Sequence, residues 1–133
     1  MKAATLFTDG GARGNPGPAG IGFVLSQIGS APFEYGEYIG TATNNQAEYR
    51  ALLACLTKAK KQGIQELQCF LDSELVVKQV RGEYRVKNED LKILLGEIKK
   101  ILPTFSRVTF EHVPRSKNAH ADKLVNVALD AEK

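Results

Sequence analysis

Four carboxylates in this chain of 133 residues carry the chemistry that its sequence offers: Asp9, Glu48, Asp72 and Asp122. Asp9 ends a run of β-branched, aliphatic and aromatic residues and is followed by Gly10 and Gly11. Asp72 ends a second such run, in Leu-Asp-Ser. A carboxylate at the end of a buried strand is costly unless something compensates its charge, and open α/β sheets bind ligands at strand ends. Glu48 falls four residues before Leu52, so it extends by one turn the apolar helical stripe Leu52, Cys55, Leu56 and Ala59. Asp122 lies in the first turn of the last helical pattern, beside the stripe Ala121, Leu124, Val125 and Ala128. Taken singly, each acid has an ordinary account. Asp9 can cap an Asp-Gly-Gly turn, and the helix dipole favours Glu48 and Asp122 in first turns. Taken together, four such groups repel and raise one another's pKa unless cations neutralise them. Hard oxygen donors with room for water suit Mg²⁺ or Mn²⁺. Two such ions held ~4 Å apart can activate a water and stabilise the leaving oxygen of a phosphodiester. No Ser-His-Asp arrangement competes as a nucleophilic device.

The elements that must position these acids follow from periodicity. Residues 3–9 read as a buried strand, 20–28 as a second and 33–41 as a third, with short connections that make an antiparallel meander. The segment 10–18 is dense in glycine and proline and reads as a loop. It lacks both the Gly-Lys-Ser/Thr ending of a P-loop and the spacing of a dinucleotide fingerprint. A helix is expected from Thr43 or Asn44 to Gln62, stopped by Gly63. Residues 66–72 read as a fourth strand and 73–81 as a helix, 82–87 as irregular, 88–102 as a helix ended by Pro103, and 105–113 as a fifth strand. Pro114 ends that strand, and a last helix follows 115–118. The order strand, helix, strand implies a right-handed crossover that sets the fourth strand parallel to and near the first. Asp9 and Asp72 then share one end of the sheet.

The length is that of one domain, 1–133, and no apolar run approaches the ~20 residues needed to cross a bilayer. Cys55 and Cys69 fall in apolar segments and read as reduced core thiols of a cytoplasmic protein. The net charge of +3 is modest, but Lys78, Arg81, Arg85 and Lys87 cluster, as do Arg115, Lys117 and Lys123. Basic groups beside acidic ones suggest a polyanion held near a metal.

Four motifs occur in order: Asp-Gly-Gly with Gly-Asn-Pro-Gly-Pro-Ala-Gly, Thr-Asn-Asn-Gln-Ala-Glu, Leu-Asp-Ser, and Asn-Ala-His-Ala-Asp. In these the chain resembles type 1 ribonuclease H over essentially its whole length. The resemblance implies an α/β fold in which a five-stranded mixed sheet, an antiparallel meander of three strands plus two parallel ones, is flanked by helices. It also implies two-metal hydrolysis of the RNA strand of an RNA/DNA hybrid, leaving a 5′-phosphate and a 3′-hydroxyl. Two Mg²⁺ ions would act with substrate, and Mn²⁺ would substitute. Asp9, Glu48, Asp72 and Asp122 match the four acidic metal ligands. Asn15, Asn44 and Asn45, with Gly11, match positions lining the hybrid groove, while Thr43 and Asn88 look like the pocket gripping a phosphate of the DNA strand. Each of these polar residues also reads as a cap or turn former. Amide side chains suit such a groove, because an enzyme of this kind must sense 2′-hydroxyls on one strand and their absence on the other.

The chain departs from the family pattern twice. Many bacterial relatives insert a basic helix and loop with tryptophans after the third acid. Here 82–87 replaces it and tryptophan is absent, which leaves Arg81, Arg85 and Lys87 as the expected basic contacts. Relatives also carry a histidine in a mobile loop before the last acid. His120 sits two residues before Asp122, where a helix turns it away, so it is expected to be a surface residue, with a catalytic role as the alternative. The expected form is a free-standing monomer rather than a piece of a reverse transcriptase polyprotein. A weakly catalytic binding module and a broader nuclease that also cuts double-stranded RNA are the competing readings.

Overall fold

The computed structural model describes residues 2–132. Its five strands are β1 (Ala3–Ala12), β2 (Gly17–Gln27), β3 (Phe33–Ala42), β4 (Glu66–Leu71) and β5 (Arg107–His112). Its four α-helices are α1 (Asn44–Lys61), α2 (Glu74–Val80), α3 (Glu89–Ile101) and α4 (Ala119–Ala131). One mixed sheet results, in the order β3-β2-β1-β4-β5, with β1, β2 and β3 antiparallel and β1, β4 and β5 parallel. This is the expected five-stranded architecture.

One face of the sheet is closed by α1, α2 and α3. Leu6, Leu25, Leu67 and Leu71 of the strands meet Leu52, Cys55, Leu56, Val76 and Ile98 of the helices, each no more than 2 % exposed. The expected α1 stripe is thus fully buried, and so are both cysteines, which are free thiols whose pKa burial pushes up. α1 begins with a capping box: the Thr43 hydroxyl accepts from the Gln46 backbone N–H, and the Gln46 side chain accepts from the Thr43 N–H. Gly63 follows its C-cap at φ +74°, the left-handed conformation that glycine adopts without steric cost.

On the opposite face α4 lies unusually close to the meander because glycines face it. A Cβ at Gly22 would stand 2.6 Å from the Ala121 carbonyl oxygen, and one at Gly36 2.7 Å from that of Leu124. Strand glycine here is a packing device that brings the last helix against the sheet.

Three sequence boundaries are corrected. β1 does not end at Asp9 but continues through Gly10 and Gly11 to Ala12, because β2 goes on pairing with it after β4 has stopped: Asp9 pairs with Gly22 and Ala12 with Ala19, whereas the β4 ladder ends at Thr8 with Leu71. The loop is therefore shorter than expected, and Arg13 N–H closes it on the Pro18 carbonyl at 2.8 Å. β2 correspondingly begins at Gly17. β5 begins at Arg107, since Pro103 sits within a 3-10 turn, Leu102–Thr104, that Phe105 N–H closes on the Leu102 carbonyl. Among the described residues no helix is long and apolar enough to cross a membrane.

Candidate active site

The parallel ladder ending at Thr8 and Leu71 makes Asp9 and Asp72 the next residues along the two adjacent strands. Glu48, in the second turn of α1, reaches the same point from across Gly10. One oxygen from each of Asp9, Glu48 and Asp72 lies within 4.8 Å of the others. Asp122, in the first turn of α4, shares a hydrogen bond with Asp9 and lines the same open cleft of about 410 Å³. Unlike Asp9, which is 9 % exposed, Asp122 stands out in solvent. The four acids thus form a triad with a rim acid rather than a symmetric set of four.

Their electrostatics are those of crowded anions. Burial, and then the charges of Asp72 and Glu48, push the Asp9 carboxyl up to about 9. Burial and the Asp72 charge push Glu48 up to about 7, partly offset by hydrogen bonds with Asp9, the Gly10 backbone and Ser73. Among the described residues, none of the groups that shift Asp9 or Glu48 is cationic. An all-oxygen donor set with uncompensated charge is what a hard divalent cation neutralises, so the residues present fit such an ion.

The cleft also gathers Gly11, Asn44 and Asn45. Asn44 is structurally committed: its Oδ1 accepts from Ala12 N–H at 2.8 Å, while its own N–H donates to Asn15 Oδ1 at 3.0 Å. Together these bonds lash the end of β1 and the following loop to the start of α1. Thr43 and Asn88 lie elsewhere, as the N-caps of α1 and α3, and the Asn88 Oδ1 accepts from Leu91 N–H at 3.1 Å. Gln46 Nε2 donates to Asp90 at 3.2 Å and ties those two helix starts together.

The basic residues divide. The Arg81 guanidinium donates to the Phe110 carbonyl and pairs with Glu83 at 3.6 Å, so it braces α2 against β5. Arg85 and Lys87 stand exposed on the segment between α2 and α3. His120 turns away from the acids and pairs with Glu34 on β3 at 3.1 Å. His120→Ala is therefore expected to leave turnover within about threefold of native, the scale left when a general acid or base worth at least a hundredfold is not involved. A hundredfold loss in single-turnover kinetics would refute that.

Two residues absent from the sequence-based site belong to it. Asn118 reaches into the triad from the start of α4, and Ser73, the N-cap of α2, bonds Glu48. Both are small polar residues at helix starts, where composition alone points to a cap. Nothing local marks a longer reach.

Comparison with known proteins agrees with this fold. Residues 7–128 match the family described as reverse transcriptase-like. A bifunctional protein of Mycobacterium tuberculosis is 46 % identical over 128 residues, which are 95 % of this chain and 35 % of that protein. Ribonuclease HI of Halobacterium salinarum is 44 % identical over 125 residues, 93 % of this chain and 63 % of that one. The chain belongs to the type 1 ribonuclease H family. It spans roughly a third and somewhat under two thirds of those two relatives. Among solved structures, LC11-RNase H1 in complex with an RNA/DNA hybrid superposes with a TM-score of 0.91 at 43 % identity, covering 97 % of this chain and 98 % of that one.

Proposed function

We propose that this chain is a metal-dependent endoribonuclease that hydrolyses the RNA strand of RNA/DNA hybrids, leaving a 5′-phosphate and a 3′-hydroxyl. The observation that carries the reading is the triad Asp9, Glu48 and Asp72, with oxygens within 4.8 Å of one another, in which Asp9 is buried and, among the described residues, neither Asp9 nor Glu48 is shifted by a cation. The triad with Asp122 would hold two Mg²⁺ ions, with Mn²⁺ as substitute. Bound there, the ions would supply Lewis-acid activation of water and charge stabilisation at the phosphodiester.

The chain's own residues do the rest. Asp9 and Asp72 are fixed by the β1-β4 ladder and Glu48 by the α1 face, so the donors are set before substrate arrives. Gly11 leaves the cleft wall without a side chain where a nucleic-acid backbone approaches, and Asn45 offers an amide to a 2′-hydroxyl. Thr43 and Asn88, the N-caps of two adjoining helices, would sit where the positive ends of those helices favour a DNA-strand phosphate.

The test is cleavage of a hybrid labelled separately on each strand, beside RNA/RNA and DNA/DNA duplexes, in Mg²⁺, in Mn²⁺ and with chelator. RNA cut only in the hybrid, and only with metal, is the expected result. Cutting of RNA/RNA as well would remove the discriminating role of Thr43 and Asn88. Binding without cutting in either metal would leave a binding module.

Hybrid affinity should rest on few phosphate interactions. Replacing Arg85 and Lys87 by alanine is expected to lower the slope of log affinity against log salt by about 2, near 0.9 for each phosphate no longer neutralised. Arg81→Ala should instead lower thermal stability, because its guanidinium serves β5. An unchanged slope in the double variant would place the hybrid elsewhere.

A further inference from the structure

We propose that Asn118 is a positioning residue that assembles the acidic cluster before any ion is bound, an inference that rests on the nuclease reading above. Asn118 is 1 % exposed. Its amide nitrogen donates to the Thr8 carbonyl and to Asp72 Oδ2, both at 2.9 Å. Both amide hydrogens are thereby used, one on β1 immediately before Asp9 and the other on an acid of the triad. The Asn118 backbone carbonyl accepts the Asp122 N–H at 3.1 Å. One residue therefore links β1, Asp72 and the first turn of α4, which carries the rim acid.

The arrangement costs stability in two ways that a merely structural asparagine would avoid. Asn118 is the N-cap of α4, yet its side chain makes no capping bond, although asparagine is among the best residues for that task. Its Oδ1 is also buried without a hydrogen-bond partner among the described residues, a condition native proteins seldom tolerate. Capping and full satisfaction have both been forgone to aim two donors at Thr8 and Asp72. Donation to Oδ2 restrains the Asp72 carboxylate rotation and leaves its second oxygen for an ion. It also offsets part of the negative charge that Asp72 turns on Asp9 and Glu48.

Two variants separate positioning from stability. Asn118→Ala removes the donors. Asn118→Ser removes the reach to Asp72 but supplies a hydroxyl suited to capping α4. Mn²⁺ alone is titrated into substrate-free protein by calorimetry and electron paramagnetic resonance, and kcat and KM for the hybrid are measured at saturating Mg²⁺. Both variants are expected to bind Mn²⁺ at least tenfold more weakly and to lose at least tenfold in kcat, with KM within threefold of native. Asn118→Ser should melt closer to native than Asn118→Ala does. Native Mn²⁺ affinity and kcat in both variants, whatever their melting temperatures, would overturn the role of Asn118 and leave the nuclease reading standing. Native protein that neither binds Mn²⁺ nor cuts the hybrid would overturn both.

Discussion

Asp9→Asn is expected to lower cleavage of the hybrid by ~10³ or more, the equivalent of about 4 kcal/mol of transition-state stabilisation, while making the ion-free protein more stable. The two effects share one cause. Asp9 is buried among Glu48 and Asp72, and its carboxyl is raised from 3.8 to about 9. Its folded pKa lies above its unfolded value, so the folded state holds the proton more tightly. The stability this provides is fully present below pH ~4 and is lost as pH rises through about 9. Glu48, raised from 4.5 to about 7, adds a loss of the same sign over the lower part of that window. Melting temperature in chelator should therefore fall steadily between pH 4 and 9, and Asp9→Asn should flatten most of the fall. Mg²⁺ at ten times its dissociation constant stabilises by about 1.4 kcal/mol, or ~5 °C for a domain of this size. That gain should appear in the native protein at pH 8 and be lost in the variant. Calorimetric scans across pH, with chelator or Mg²⁺, measure all of this. A flat profile for the ion-free native protein would mean that the acids are not crowded anions in need of a cation.

Much of the site could be read from the sequence because its acids interrupt patterns. Glu48 continues the face of Leu52, Cys55 and Leu56, all fully buried, so a carboxylate there is conspicuous. Asp9 and Asp72 end apolar runs whose parallel pairing follows from a crossover rule, and the ladder places them side by side. What the sequence concealed depends on partners far along the chain. Asn118 looks like a helix cap until its side chain is seen on Asp72, 46 residues away. Arg81 looks like a nucleic-acid contact until it is seen on the Phe110 carbonyl. β1 continues past Asp9 because β2 supplies hydrogen bonds there, whereas glycine-rich composition locally predicts a turn. In each case a tertiary partner decided between two local conformations of similar cost.

Gly10→Ala should be the most damaging change outside the acids, and Gly11→Ala next to it should leave the fold intact. A Cβ at Gly10 would lie 2.2 Å from both the carbonyl carbon and oxygen of Ala47 and 2.5 Å from the Glu48 nitrogen. All three are backbone atoms of α1, so no rotamer change relieves the collision, and strand and helix must separate by about an ångström. Overpacking of this kind costs about 3 kcal/mol, or ~10 °C in melting temperature. The same separation moves Asp9 on the strand away from Glu48 on the helix. A misplacement of ~1 Å at reacting groups can cost about a hundredfold in rate, so cleavage should fall at least that far at 15 °C, where the variant remains folded. A Cβ at Gly11 meets nothing within 4 Å, and its φ is not positive. Gly11→Ala should therefore melt within about 1 °C of native, the small effect usual for a surface change, while weakening hybrid binding by intruding on the cleft. Native melting of Gly10→Ala would contradict the close approach of β1 to α1. Native hybrid affinity in Gly11→Ala would show that the nucleic acid does not pass over that wall, and that glycine at this position answers to something other than the substrate.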